Sequence, residues 1–214
     1  MNRERKTEEK LPSVQAVLSE LDTTLKKMQQ NGRLPDVITF AGNGEPTAHP
    51  QFAEIIDGVV VLRDRYAPNA KVSVLSNGTQ VHKPRVFAAL QKVDNNILKL
   101  DTVDEEYIEQ VNRPASYYRV DEQIDAFKRF DGHVMVQTMF LKGKDFLGRD
   151  VDNTTERYVA PWIEALKVIK PQKVMIYTID RETPDKDLLK ATPEELDAIA
   201  ARLKNEGFDV TVSY

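Results

Sequence analysis

Apolar residues recur at spacings of three and four along residues 11–30, where Val14, Val17, Leu18, Leu21, Leu25 and Met28 share one stripe before Asn31-Gly32. This pattern predicts an amphipathic helix with a glycine stop. Residues 37–41 form a short β-branched run that reads as a buried strand. It breaks into Gly42-Asn43-Gly44, a stretch suited to positive φ, with Glu45 at the tip and Pro46 fixing the exit. A helix follows from Pro50 to about residue 66. Further strands are expected over residues 71–76, 96–101, 133–140, 173–179 and 208–214. Helices are expected over residues 84–90, 104–111, 120–130 and 154–169. A Gly- and charge-rich loop is expected from 141 to 152, and the charged first ten residues read as ill-ordered. The last helix carries the fullest start signal: Thr192 as cap, Pro193 in the first turn and Glu195 closing a capping box.

Strands alternating with helices imply right-handed βαβ units and a parallel sheet. In the third strand Ile97, Lys99 and Asp101 share a face, and in the fourth His133, Met135, Gln137 and Met139 do. A sheet covered by helices on both faces has no place for Lys, Asp and Gln there. A barrel whose inner face lines a cavity does. Between an open doubly wound sheet and a complete or partial (β/α) barrel, these faces favour the barrel, in a single α/β domain over residues 1–214.

Composition narrows the chemistry. A chain of 214 residues suits one such domain. It is 41% hydrophobic and 30% charged, ordinary for a soluble globular protein. A net charge of −4 gives no electrostatic reason to expect a polyanionic partner, although local phosphate contacts stay open. No apolar run approaches the roughly 20 residues of a membrane helix, and the first residues lack the apolar core of a signal peptide, so cytoplasm is the default expectation. The chain has no cysteine, which excludes disulfides, thiolate metal sites and cysteine catalysis from these residues.

Taken alone, Gly42-Asn-Gly-Glu-Pro46 is a glycine turn with an exposed acid. A dinucleotide fingerprint is disfavoured, because Pro46 follows at once and the third glycine is missing. A carboxylate beside backbone carbonyls suits an ammonium better than a phosphate. The stretch from Thr39 to Pro50 resembles the Gly-Glu-Pro motif of radical S-adenosylmethionine (radical SAM) enzymes, in particular the subgroup of wyosine-forming and related iron–sulfur oxidoreductases. The likeness continues through Ser76-Asn77-Gly78, Lys99-Leu-Asp101, Val111-Asn-Arg-Pro114, the run from Gln137 to Gly143, and the run from Lys170 to Arg181. It covers roughly residues 11–190, leaving residues 191–214 as a terminal helix and strand.

The resemblance implies a partial (β/α)6 TIM-like barrel whose strand ends hold S-adenosylmethionine. Asn43, Gly44 and Glu45 would take the methionine ammonium through a backbone carbonyl and the carboxylate. Ser76, Asn77 and Asp101 would lie near the methionine carboxylate and ribose, and Gln137 and Tyr177 would line the adenosine or substrate side. Asn112 and Arg113 would face the substrate. Each has a structural alternative. Ser76-Asn77-Gly78 is strong turn chemistry. Asp101 can pair with Lys99 or cap the following helix, Gln137 and Tyr177 can be satisfied interior groups, and Asn112-Arg113 can simply close a helix.

One departure is severe. The family's three-cysteine loop, which ligates a [4Fe–4S] cluster for reductive cleavage of S-adenosylmethionine to a 5′-deoxyadenosyl radical, has no counterpart here. In family order residues 11–30 follow that loop, so the expectation is a truncated member that lacks its first strand and is inactive alone. Residues 37–41 would then form a free sheet edge open to self-association. The alternative is a cluster-free barrel that binds S-adenosylmethionine or a nucleoside without turnover. A metal-dependent hydrolase using His49, His82, His133 and Asp101 fits poorly, because no i, i+4 histidine pair exists and His133 begins its strand. The substrate, a nucleic-acid base or a protein by subgroup resemblance, is not legible from these residues.

Overall fold

The computed structural model of the chain describes residues 11–41, 44–114, 118–180 and 186–214. The expected disorder of residues 1–10 and the placement of Gly42, Asn43 and Arg181 lie outside these. The fold is α/β, with six parallel strands in hydrogen-bonded order β1-β2-β3-β4-β6-β8. By internal contacts the chain divides into two compact units, residues 5–97 and, in the main, residues 98–214.

In the first unit, α1 (Val14–Gln30) begins at Ser13, whose hydroxyl accepts from the Ala16 N–H at 3.2 Å. β1 (Val37–Phe40), a 3-10 turn (Pro46–Ala48), α2 (Phe52–Tyr66), β2 (Lys71–Ser76), α3 (Pro84–Leu90) and most of β3 (Asn95–Lys99) follow. The α1 stripe is shallow: only Leu25 is fully buried, in a cluster with Leu62 and Tyr66 that Leu18, Leu21, Met28 and Ile38 flank. Gly58 in α2 is the reason α1 can come this close. A Cβ there would stand 2.3 Å from Leu18 Cδ1. β1 pairs in parallel with β2, from Val37↔Lys71 to Phe40↔Val74, and its other edge ends the sheet. At the far end of β2, the Asp94 carboxylate ties the Val72 N–H to the Arg63 guanidinium, each at 2.8 Å.

The second unit contains α4 (Glu105–Tyr107), a π-helical turn (Ile108–Asn112), α5 (Val120–Lys128), β4 (Met135–Met139), β5 (Leu141–Gly143), α6 (Glu156–Ile169), β6 (Lys173–Tyr177), β7 (Leu188–Lys190), α7 (Pro193–Asn205) and β8 (Val210–Ser213). β4, β6 and β8 run parallel, with Gln137↔Met175, Met175↔Thr211 and Tyr177↔Ser213 in register. Val136, Thr138, Val174 and Ile176 are buried, whereas Gln137, Met175, Tyr177, Thr211 and Ser213 alternate with them and stay partly open. That is the one-sided inner face expected of a partial barrel. Trp162 of α6 is 1% exposed, donates its indole N–H to the Leu100 carbonyl at 3.1 Å, and meets Phe140 edge-on. The capping box at Thr192 and Glu195 forms as its sequence dictates.

Two local features depart from the sequence pattern. Residues 108–112 continue α4 as a π turn instead of a regular helix, and the turn ends on Arg113 at φ 47° and ψ 64°. The expected loop after residue 140 begins with β5, which pairs antiparallel with β7 from Leu141↔Lys190 to Gly143↔Leu188. Strands this short carry too little periodicity to be seen, and their partner lies far along the chain. Gly143 permits the pairing: its φ is 100°, and a Cβ would stand 2.2 Å from the Asp187 carbonyl oxygen. Gly143→Ala is expected to destabilise the fold by about 3 kcal/mol, from backbone strain plus a clash with a fixed main-chain atom. Urea unfolding of the two proteins measures it, and a loss below half that figure would mean the ribbon readjusts.

Candidate functional site

The sequence-predicted residues fall into two constellations, one in each unit. In the first, Glu45 leaves β1 in extended conformation and caps the 3-10 turn, its Oε1 accepting from the Thr47 N–H at 3.1 Å and from the Thr47 hydroxyl. Ser76, buried at the end of β2, donates to the same oxygen at 2.6 Å. Among the described residues Oε2 accepts one bond, from the Asn77 N–H at 2.8 Å. A carboxylate has about four acceptor positions, so Oε2 keeps capacity for a further donor. Gly44 does not use the left-handed region, contrary to the expectation for this turn, and a Cβ there would meet nothing within 4 Å. Its small size leaves open space beside a fixed carboxylate. Such a cradle can accept an alkylammonium group.

Asn77 acts here through its backbone. Its Oδ1 accepts from the Thr79 N–H at 3.0 Å and the Thr79 hydroxyl at 2.8 Å, a turn that Gly78 completes at φ 74°. Sequence reasoning passed over Thr47. A small hydroxyl two residues after a strand-end acid is the signal that would have found it.

The second constellation centres on Asp101, just past β3. Its carboxylate is 4% exposed and receives the Lys99 ammonium at 3.1 Å and the Asn112 amide at 2.7 Å on Oδ2, and the Met139 N–H at 2.9 Å on Oδ1. The pairing with Lys99 considered above is therefore present. The cap of the following helix is Asp104, which accepts from the Tyr107 N–H. The Asp101 charge holds the Lys99 ammonium above the usual lysine range. Burial raises the Tyr177 phenol, while Lys99 beside it pulls the other way. Tyr118, absent from the sequence prediction, is pushed up by burial and then by the Asp101 charge.

Asn112 sits on the π turn with its N–H group committed to Asp101. Its Oδ1 is buried and has no hydrogen-bond partner among the described residues. Orphaned acceptors of this kind are uncommon and costly. Arg113 stacks its guanidinium over Phe146, 4.3 Å from the ring centroid, and donates to the Gln110 carbonyl at 3.0 Å. Gln137 and Tyr177 line one cavity of about 290 Å³ on the open face of β4, β6 and β8, together with Met175, Asp180, Thr211 and Ser213. His49 bridges the Pro12 carbonyl and the Gln51 N–H. Among the described residues no group of three His, Cys, Asp or Glu could hold a metal ion.

A [4Fe–4S] cluster requires thiolates, and none of the 214 residues is a cysteine. The residues present do not fit that group. Among the described residues no helix is long and apolar enough to cross a membrane.

Residues 12–156 match the radical SAM superfamily. The chain is similar to a UPF0026 protein of Helicobacter pylori (strain J99), 27% identical over 179 residues that cover 82% of this chain and 51% of that protein. A UPF0026 protein of Synechocystis is 29% identical over 153 residues, covering 70% and 52%. The chain thus spans about half the length of the curated relatives it matches. Among solved structures, a radical SAM methyltransferase from Sphaerobacter thermophilus aligns with TM-score 0.70 at 17% identity, over 94% of this chain and 57% of that one. SuiB of Streptococcus suis, solved bound to the precursor peptide SuiA, aligns with TM-score 0.67 at 14% identity, over 98% and 44%. At such identities the likeness is one of fold.

Asp101→Asn should cost about 3 kcal/mol, because it leaves Lys99 without its counter-ion and turns an amide toward the Asn112 donor. Adding Lys99→Met should recover part of that loss. The sign with pH follows from the raised lysine: stability from this pair is full below the unfolded lysine value near 10.4 and is lost as pH rises through the higher folded value. Denaturant titrations of the single and double variants check both points, and equal stability of wild type and Asp101→Asn would show that the pair contributes nothing.

Proposed function

The chain belongs to the radical SAM superfamily, and from that premise we propose that it is the S-adenosylmethionine-gripping portion of such an enzyme. The observation that supports this most directly is the Glu45 carboxylate, held by Ser76, Thr47 and the Asn77 N–H with one oxygen still able to accept. Glu45 and the neighbouring backbone of Gly44 take the methionine ammonium. Asn43 shares that task in this reading, though it lies outside the described residues. Ser76 and Asn77 position Glu45. Asp101, with its charge balanced by Lys99, suits a ribose hydroxyl better than a second cation. Gln137 and Tyr177 form the substrate side, and the Asn112 Oδ1 with Arg113 meets substrate donors.

S-adenosylmethionine bound here supplies a sulfonium whose reductive cleavage defines the family. This chain holds no group that could deliver the electron, so that chemistry depends on thiolates outside these 214 residues. The order of motifs from Glu45 through Tyr177 supports a likeness to the wyosine-forming subgroup. The lack of cysteine favours, as a second reading of these residues alone, binding without turnover.

Titration calorimetry with S-adenosylmethionine tests the proposal. Glu45→Ala should weaken binding by roughly tenfold or more, the worth of one charge-assisted hydrogen bond. No heat at millimolar ligand with folded protein would end it. The free edge of β1 gives a second expectation: self-association by strand pairing, abolished by Val37→Lys at this exposed position. Light scattering on a size-exclusion column reads this directly, and a wild-type monomer at high concentration contradicts it.

A further inference from the structure

We infer that the open face of β4, β6 and β8 binds a compact, non-anionic group carrying N–H donors, oriented by Asp180. This deepens the reading of Gln137 and Tyr177 as the substrate side and rests on it. The volume of about 290 Å³ sets the size. At ~30 Å³ for each water-sized group, it admits about ten non-hydrogen atoms, one substituted ring or one long side-chain head.

The lining sets the chemistry. Thr178 is already used, donating to the Phe140 carbonyl and accepting from the Ala191 N–H. The Tyr214 phenol is given to Asp197 at 2.5 Å. Gln137, Thr211 and Ser213 present an amide and two hydroxyls that make no side-chain hydrogen bond to another described residue. Met175, between the two strands that carry them, adds a polarizable apolar patch suited to a ring face. Among the described lining residues Asp180 is the only charged side chain. Lys99 reaches Tyr177, yet its ammonium is neutralised by Asp101. An anion entering this face would therefore meet a carboxylate and no uncommitted cation among the described residues. A purely apolar ligand would strip water from Gln137, Thr211 and Ser213 without replacing it. A group with N–H donors satisfies the carboxylate and the amide oxygen together, and the hydroxyls adapt to either role.

The probes are benzamidine, benzamide and benzoate, which share shape and differ in charge. The readout is the methyl resonance of Met175 in methyl-labelled protein, identified among the five methionines by its loss in Met175→Leu. Benzamidine should shift it saturably, benzamide more weakly, and benzoate not at all at about 20 mM, a range that reaches fragment-sized ligands. Asp180→Asn should weaken benzamidine roughly tenfold and leave benzamide within about twofold, as expected for a charge-assisted bond. Thr211→Val with Ser213→Ala should weaken both. Benzoate binding as tightly as benzamidine would overturn the inference. So would an unchanged benzamidine affinity in Asp180→Asn, shifts confined to other methionines, or no shift from any probe while the amide spectrum shows folded protein. The titrations contain no S-adenosylmethionine, and the calorimetry on Glu45→Ala contains no probe, so either reading can fail without the other.

Discussion

A carboxylate taken out of water must collect donors, and Asp101 dictates the structure around it by doing so. It draws in the Lys99 ammonium, the Asn112 amide and the Met139 N–H, and these three come from β3, the π turn and the end of β4. Removing the charge from solvent is tolerable only because all three arrive with good geometry. The π turn follows from this. A regular helix through residues 108–112 would rotate Asn112 away from the acid, and the extra residue per turn, closed by left-handed Arg113, keeps it in place.

Glu45 obeys the same rule with a different outcome. Its donors gather on one oxygen, leaving the other lightly used, and it stands in a half-exposed turn instead of a sealed pocket. Asp101 has both carboxylate oxygens engaged, whereas Oε2 of Glu45 keeps capacity for a further donor. Asp145 repeats the sealed pattern: it accepts from the Leu147 and Arg149 N–H groups and the Arg149 guanidinium, which together hold its carboxyl down at about 2. Number and placement of donors decide how much acceptor capacity an acid keeps.

Much of this was legible from the residues. Periodicity marks every strand of the parallel sheet, and Lys99, Asp101 and Gln137 on inward positions point to an open-faced barrel. Glu45 was marked by glycines and proline. What could not be read was side-chain commitment. The motif Ser76-Asn77-Gly78 does not reveal that the Asn77 Oδ1 holds Thr79. Thr47 and Tyr118 carry no motif of their own and gain meaning only from what lies beside them. Thr211 and Ser213 are exposed polar positions of β8 that also line a cavity, and alternation reports which residues share a face, not what that face lines.

The β5–β7 ribbon has a kinetic side as well. Its two strands are separated by α6 and β6, and closing so long a loop is entropically slow compared with pairing neighbours. The ribbon should therefore assemble after the parallel strands it hangs from, once most of the barrier is already crossed. Late-forming contacts govern how fast a fold comes apart more than how fast it forms. The residues around Gly143 thus act as a latch: they set the lifetime of the native state while having little say in how it is reached.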